Sequence, residues 1–557
     1  MSRLKPKLFS VMKTYTKAQF LKDIIAGSIV AIIALPLSIA LAIASGASPE
    51  SGLYAAIIGG FIISFLGGSR VQIGGPTGAF MVIVFGIITE FGMDGLIIAM
   101  IMAGIIMIFL GLLKMGTMIK FIPYPIITGF TSGIAFVIFS SQINDFLGLG
   151  ISQVPSDFID RWKSYALNFL KIDLMTFLIG ALTLIIIIFW PKVSKKIPGT
   201  LIALIIASLL VGLFDLNVAT IGTKFGTLSS SFPKFQMPTI TFDLIKLLIA
   251  PAFVIAFLAS VESLLSAVVS DGMIGSKHQS NMELIAQGAA NIGSAFFGGI
   301  PVTGALARTV ANIKNGGRTP IAGITHSIVL LIILVSLMPL VQHVPLTSLA
   351  AILFIVAYNM SEWREFKGLL KSPKSDVAIL LTTFVLTITV DLVVALEIGL
   401  VMSMFLFMKR MSDVSDISIK NLDFTETNHA DGEKAYTNES KKYPSLDGVK
   451  MYQINGPFFF GAAFKYIEAI NQLDTKIEYL IIGMKHVPAI DATALHSFHI
   501  SLQTCKSKHI TVLITGLRSQ PYQTLLKANM IEKIGEDHIF KTIEEAVQMI
   551  KNNRETK

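Results

Sequence analysis

Charged residues are scarce in this chain, and cysteine is almost absent. Only 15% of the 557 residues are charged, whereas soluble proteins carry about 25%. With 53% hydrophobic residues, the composition excludes an ordinary soluble protein over most of the length. The single cysteine, Cys505, excludes a disulfide within the chain and fits a reducing compartment.

The sequence also lacks the groups of side chains that are typical of catalytic and metal sites. No metal-ligand cluster and no nucleophile–base pairing stands out, so we predict no enzyme, no metal and no cofactor. The formal net charge of +9 would suit nucleic-acid binding. Cations that flank membrane helices explain it instead, so we expect the lipid bilayer as partner and no nucleic acid.

The charges that are present are unevenly distributed. Residues 24–410 form successive apolar runs, and residues 411–557 have the composition of a soluble protein. The first 23 residues hold six cations before a long apolar run, which indicates a cytoplasmic N-terminal segment rather than a cleaved signal peptide. We therefore predict a membrane domain at 24–410, a linker at 411–447 and a soluble domain at 448–557.

The membrane part contains fourteen apolar segments. They lie near 24–45, 52–67, 76–92, 95–113, 125–146, 173–190, 199–215, 246–270, 284–298, 302–313, 320–341, 347–358, 375–390 and 392–408. A full span needs roughly 20 residues, so the shorter segments are expected to be half-helices or tilted helices. Cations concentrate in the loops after even-numbered segments, which places both termini in the cytoplasm. Seven segments per half predict an inverted repeat, over about 24–215 and 246–408.

One short motif recurs at the same position in both halves. Segment three opens with Gly74-Gly75-Pro76-Thr77-Gly78-Ala79, and segment ten opens with Gly299-Ile300-Pro301-Val302-Thr303-Gly304-Ala305. Gly and Pro interrupt helices, and irregular backbone at membrane depth is tolerated only inside protein or along a cavity. We predict two broken helices whose N-termini face each other and bind an anion. Chance recurrence of small residues is the alternative.

Glu262 and Arg308 are the ionisable side chains inside the apolar segments that bear on function. Glu262 lies in the middle of segment eight, and Ser266 follows one turn later on the same face. A carboxylate in a membrane is costly, so it marks either a functional site or an ion pair between helices. Arg308 and Thr303 do not share a helix face. Arg308 could therefore attract the anion, pair with Glu262, or reach the inner surface.

Several stretches of the chain, in order along nearly its whole length, resemble the SulP family of anion transporters. They are Leu35-Pro36-Leu37-Ser38, 44–46, 51–54, 129–133, 303–309, 317–323 and 358–363. The resemblance implies an α-helical polytopic protein of the cell membrane, built as a seven-plus-seven inverted repeat with a core and a gate domain. It further implies a homodimer and a substrate such as sulfate, bicarbonate, chloride, fumarate or succinate.

The resemblance also assigns residues to roles. The residues it places in or beside the substrate site are Thr77, Gly78, Ala79, Thr303, Gly304, Ala305 and Arg308. Glu262 becomes the coupling carboxylate, with Ser266 beside it, and we expect the coupling ion to be a proton that enters with the anion by alternating access. A sodium-coupled branch of the family places a Thr where this chain has Leu306, so sodium is disfavoured.

The resemblance finally implies a C-terminal STAS domain. Strand and helix patterns alternate from Val449 onwards, which predicts a small α/β fold with a mixed sheet. STAS regulators are phosphorylated on a Ser or Thr directly after an Asp. Here Ala492 separates the candidate regulatory residues Asp491 and Thr493, and this departure argues against phosphorylation.

Other functions compatible with such a chain are an anion exchanger, a nucleobase permease and a membrane sensor that signals without transporting. A nucleobase site would need polar groups arranged around a heterocycle, and the STAS domain argues against it. Uptake of labelled anions into proteoliposomes separates transport from signalling.

Overall fold

The computed structural model describes residues 4–117, 123–151, 154–155, 157–194, 198–239, 241–390, 392–414, 416–421, 446–473 and 476–555 of the chain. The chain divides into two compact units, Met1–Met402 and Ser403–Lys557. This division falls inside the last apolar helix, a few residues before the boundary predicted from composition. Most of the predicted linker, at 422–445, lies outside the described residues.

The first unit is built of helices. In chain order the helices up to the unit boundary are α1 Lys7–Val11, α2 Lys17–Ala44, α3 Pro49–Tyr54, α4 Gly60–Leu66, α5 Met81–Leu112, α6 Tyr124–Ser141, α7 Ile143–Leu147, α8 Phe158–Asn168, α9 Leu174–Val193, α10 Gly199–Leu213, α11 Ile221–Phe225, α12 Phe242–Ile274, α13 Ser280–Phe296, α14 Leu306–Lys314, α15 Pro320–Val341, α16 Leu346–Met360, α17 Trp363–Leu369, α18 Lys374–Thr389 and α19 Leu392–Val414. Among the described residues, nine helical stretches are long and apolar enough to cross a membrane. Every one of the fourteen predicted segments falls on a helix, so the polytopic helical fold is confirmed.

Two of the predicted segments are joined into one continuous element. α5 covers segments three and four, and its helical geometry is broken at Gly92, where φ is 69°. A left-handed backbone is costly for residues with a Cβ atom, so glycine allows the chain to turn there. The break divides α5 at the position where the apolar pattern places the end of segment three.

Irregular backbone precedes a helix at the equivalent place in each half of the repeat. In the first half, strand β1, Gly74–Gly75, precedes a 3₁₀ turn at Gly78–Phe80 that continues into α5. In the second half, strand β2, Thr303–Gly304, precedes the nine-residue helix α14. The two strands pair antiparallel, so the two irregular stretches meet.

The second unit contains a five-stranded sheet with helices packed on it. Its strands are β3 Asp416–Asn421, β4 Val449–Asn455, β5 Tyr479–His486, β6 Thr511–Thr515 and β7 Ile539–Phe540, and its helices are α20 Phe460–Asn471, α21 Ala492–Ser507, α22 Ser519–Lys527, α23 Met530–Ile534 and α24 Ile543–Glu555. The strand order is β3-β4-β5-β6-β7. β3 is antiparallel to β4 and the other pairs are parallel, which confirms the predicted mixed sheet.

One strand differs from the sequence prediction. β3 lies within the stretch that composition assigns to the linker, and it pairs along its whole length with β4. Its residues alternate between polar and apolar from Asp416 to Lys420, but the run is short and adjoins a long polar stretch, so composition alone assigns it to the linker. Its extended conformation depends on β4, a partner that begins 28 residues after β3 ends.

We expect a chain that ends at Arg410 to insert and fold without the second unit. The first unit has its own packed helices, and a compact unit with its own core can fold alone. The truncated protein should elute as one species in detergent and melt within about 5 °C of the full chain. It should also retain measurable transport. Aggregation of the truncated chain, with the full chain monodisperse under the same conditions, would contradict this expectation.

Candidate functional site

The centre of the first unit is a short antiparallel pairing between the two broken helices. Gly74 pairs with Gly304 and Gly75 with Thr303, and the Ala305 amide donates to the Ile73 carbonyl at 2.9 Å. Polar backbone at membrane depth must find partners within the protein. The pairing supplies them and brings the starts of the two helices together.

Glycine is required on both sides of this pairing. A Cβ atom at Gly75 would overlap the guanidinium of Arg308, and a Cβ atom at Gly304 would overlap the amide of Gln72. Both neighbouring side chains are buried, and Gln72 donates to the carbonyl and the hydroxyl of Ser263, each at 3.0 Å. The close approach of side chains to bare backbone explains the Gly-rich motifs.

The two helix N-termini have no side-chain caps. Thr77 occupies the cap position before the 3₁₀ turn, and Ala305 occupies the cap position of α14, yet neither side chain accepts a hydrogen bond from the first turn. The first N–H groups of a helix have no partner within the helix, and they carry the positive end of its dipole. Two such ends next to each other are a suitable environment for a negative charge.

Thr77 contacts the intramembrane carboxylate of Glu262 instead of capping its own helix. Its hydroxyl donates to Oε2 of Glu262 at 2.8 Å. Glu262 belongs to α12 and is partly buried. This contact joins the two predicted sites, because it links the residue before the first broken helix to the intramembrane carboxylate.

Arg308 packs against the pairing at Gly75. Its side chain is 1% exposed, its Nη2 donates to Oγ of Ser38 on α2 at 3.1 Å, and its Nε and Nη1 donate to no described residue. In the described part of the chain, Arg308 forms no ion pair with Glu262. Of the three roles that the sequence left open, this geometry favours attraction of an anion, because Arg308 is a buried cation close to the pairing and is not paired with Glu262.

Thr303 and Ser266 form hydrogen bonds around the pairing. The Thr303 hydroxyl donates to the Ala259 carbonyl at 2.8 Å. The Ser266 hydroxyl faces Thr309 at 3.5 Å rather than Glu262. Thr303 therefore links β2 to α12, and Ser266, which belongs to α12, links that helix to α14.

Small residues lie at the starts of the two broken helices. Gly78, Ala79 and Ala305 are buried, and a Cβ atom at Gly78 would lie 2.7 Å from Sδ of Met360 and 3.2 Å from Cδ1 of Ile138. The start of the first broken helix therefore faces α6 and α16.

Sequence reasoning did not identify Ser38, Gln72 and Glu283. Ser38 belongs to a motif that carried the resemblance, and Gln72 lies two residues before β1, so position along the chain was the only signal for them. Glu283 is fully buried on α13, where Oε2 accepts the amides of Gly68 and Ser69 at 2.7 and 3.0 Å. This carboxylate fastens the loop that leads to β1.

The second unit holds the predicted regulatory residues. Asp491 caps α21 by accepting the Ala494 amide at 2.7 Å, and it also accepts the Phe460 amide at 3.0 Å. Thr493 is exposed in the first turn of α21. Burial raises the pKa of the Cys505 thiol to about 11, so this thiol stays protonated and unreactive near neutral pH.

Two family profiles match the chain. The sulfate permease family matches residues 20–383, and the STAS domain matches residues 440–546. YvdB of Bacillus subtilis, named for sulfate transport, is 40% identical over 530 residues that cover 95% of this chain and 97% of that protein. The bicarbonate transporter BicA of Picosynechococcus sp. is 30% identical over 538 residues, covering 94% of each chain.

A solved structure shows the same fold. The structure of SLC26A9 covers 99% of this chain and 93% of its own, with a TM-score of 0.86 at 18% identity. The likeness at this identity concerns the fold alone. The family profile and the relatives carry the assignment: the chain belongs to the sulfate permease family, whose members are multi-pass membrane transporters and not enzymes, and it carries a C-terminal STAS domain.

Proposed function

We propose that this protein is a secondary active transporter of small anions that works by alternating access. It acts in the cell membrane as a homodimer, and both of its termini lie in the cytoplasm. The observation that carries the proposal is the pairing of β1 with β2, which brings two uncapped helix N-termini together. Backbone N–H groups and two positive dipole ends bind an anion there without a full counter-charge. Arg308, buried against Gly75, adds positive potential.

The substrate is an anion of the size of sulfate, bicarbonate or a small dicarboxylate. The family is named for sulfate, and one relative for bicarbonate. Backbone donors and one guanidinium recognise oxygen-bearing anions in general, so these substrates share one recognition chemistry. Competition among a panel of anions in one uptake assay identifies the preferred one.

We propose a proton as the coupling ion, carried by Glu262. An ionised carboxylate beside the anion site repels the anion, and protonation removes that repulsion. Proton and anion then favour each other's binding. The contact with Thr77 suits both states, because a hydroxyl can donate to a carboxylate and accept from a carboxylic acid.

Sodium-coupled symport is the competing mechanism. Sodium requires several oxygen ligands, but Leu306 supplies no side-chain oxygen and the Ser266 hydroxyl faces Thr309. Both observations favour a proton over sodium as the coupling ion.

Filling the space at Gly78 should weaken anion binding. Leucine there would occupy the start of the broken helix, where the nearest atom is the flexible thioether of Met360, so the fold can adjust. We expect Gly78→Leu to weaken sulfate binding at least about tenfold in isothermal titration, with a smaller loss for Gly78→Ala. Gly86→Leu is the matched control, because a Cβ atom at Gly86 on the same helix meets no atom within 4 Å. Normal affinity in a well-folded Gly78→Leu protein would refute the paired N-termini as the binding site.

Removing the buried cation should weaken anion affinity. We expect Arg308→Ala to raise the sulfate dissociation constant about tenfold, and Arg308→Lys to recover part of the loss, because it restores the charge. Lys314→Ala removes one exposed cation from the last turn of the same helix and should leave affinity unchanged. If Arg308→Ala lowers only the melting temperature while folded protein binds normally, the role of Arg308 is structural.

The proton hypothesis predicts the pH dependence of uptake. Uptake should rise when the medium outside is made acidic, persist without sodium, and lose its pH dependence in Glu262→Gln, which mimics the protonated carboxyl. Glu90→Gln, an exposed change on α5, should keep the wild-type pH profile. Uptake that requires sodium and ignores the pH gradient would assign the coupling to sodium.

A further inference from the structure

A cavity of about 170 Å³ lies on the side of the first unit away from the N-terminal segment. The C-terminal end of α2 borders it, and the 28 residues of α2 correspond to about 42 Å of helix, enough to cross the membrane. The start of α5 borders it as well, through Met81 and Phe85. Met81 follows Gly78 by three residues, so the cavity adjoins the broken helix of the proposed anion site.

The loop helices α8 and α11 contribute two cations to this cavity. Arg161 of α8 is 6% exposed, with Nε donating to the Pro155 carbonyl at 3.0 Å and Nη1 facing the Ser140 hydroxyl at 3.4 Å. These contacts hold a positive charge in one place at the cavity wall. Lys224 of α11 lies 3.5 Å from the carboxylate of Asp145, another lining residue.

The described lining of the cavity carries an excess of one positive charge, and Asp157, whose charge acts on Arg161, caps α8 outside that lining. The described lining has two cations, Arg161 and Lys224, against the one carboxylate of Asp145, and Gln142 and Asn144 add neutral polar groups. A concave surface between low-dielectric walls concentrates the field of its charges, which raises the local concentration of counter-ions and their rate of entry.

We infer that this cavity is a capture site for small inorganic anions such as sulfate, which it collects on the membrane face opposite the N-terminus and passes to the paired helix N-termini. The inference rests on the proposed transport function and adds a second place where the anion binds. Capture acts on the exchange of anion with that face, so it changes the apparent KM for anion supplied there and leaves the kcat of uptake from that face unchanged.

Opposite charge changes at one ion pair test the inference. Lys224 and Asp145 are both partly exposed, so their variants keep the buried Arg161 in place. At low ionic strength, Lys224→Gln should raise the KM for sulfate about fivefold, because it leaves Asp145 unopposed, and Asp145→Asn should lower it by a similar factor. The double variant restores the wild-type charge and should return KM close to the wild-type value. Added salt should shrink both shifts.

A second ion pair, on the helix that carries Arg161, supplies matched controls. Lys163 and Asp160 of α8 form a pair whose side chains are 68% and 61% exposed, and neither lines the cavity. Lys163→Gln and Asp160→Asn make the same charge changes on the same face of the membrane. We expect both to leave the KM for sulfate at the wild-type value.

The outcomes separate the capture site from the central site. Unchanged KM in both Lys224→Gln and Asp145→Asn, with normal wild-type uptake, overturns the capture site and leaves the proposed function standing. Equal shifts in the control variants overturn it too, because general surface charge then explains the effect. A wild-type chain that takes up none of the anions in the panel overturns the proposed function, and the capture site with it.

Discussion

Backbone polarity inside the membrane is the constraint on which the first unit depends. Wherever a helix is interrupted at membrane depth, the freed N–H and C=O groups need partners within the protein. The chain meets this need by pairing its two interruptions with each other, Gly74–Gly75 with Thr303–Gly304. Because the paired residues lie 230 and 228 residues apart, one of each pair in each half of the repeat, the pairing also ties the two halves together at the site.

Side chains complete what this short pairing leaves unsatisfied. Asn291 accepts the Val302 amide at 3.0 Å and donates to the Val302 carbonyl at 2.8 Å. Asn312 donates to the Val71 carbonyl at 2.8 Å, and the Thr309 hydroxyl accepts the Ile73 amide at 3.1 Å. These hydrogen bonds fix the backbone on both sides of the pairing. The uncapped helix ends therefore stay in position. The polar groups left for an anion are the N–H groups of the helix starts and the Nε and Nη1 of Arg308, which donate to no described residue.

The prediction succeeded where local pattern carries the information. Apolar length located the helices, and the repeated Thr-Gly-Ala located both broken helices, because each signal is contained in a short window. It did not find β3, which is extended only because β4 lies beside it. It also left the partner of Arg308 open, since helix periodicity gives the face of a side chain and not the helix that packs on that face.

By itself, the sequence determined where the apolar helices lie, where two of them are interrupted, and the mixed α/β domain that follows them, because these depend on hydrophobicity, periodicity and backbone restrictions of neighbouring residues. Only the tertiary structure decided which polar groups meet. Thr77 contacts Glu262, 185 residues away, and Arg308 contacts Ser38, 270 residues away. Such contacts result from the packing of α2, α12 and α14 around the paired strands, and no local pattern specifies that packing.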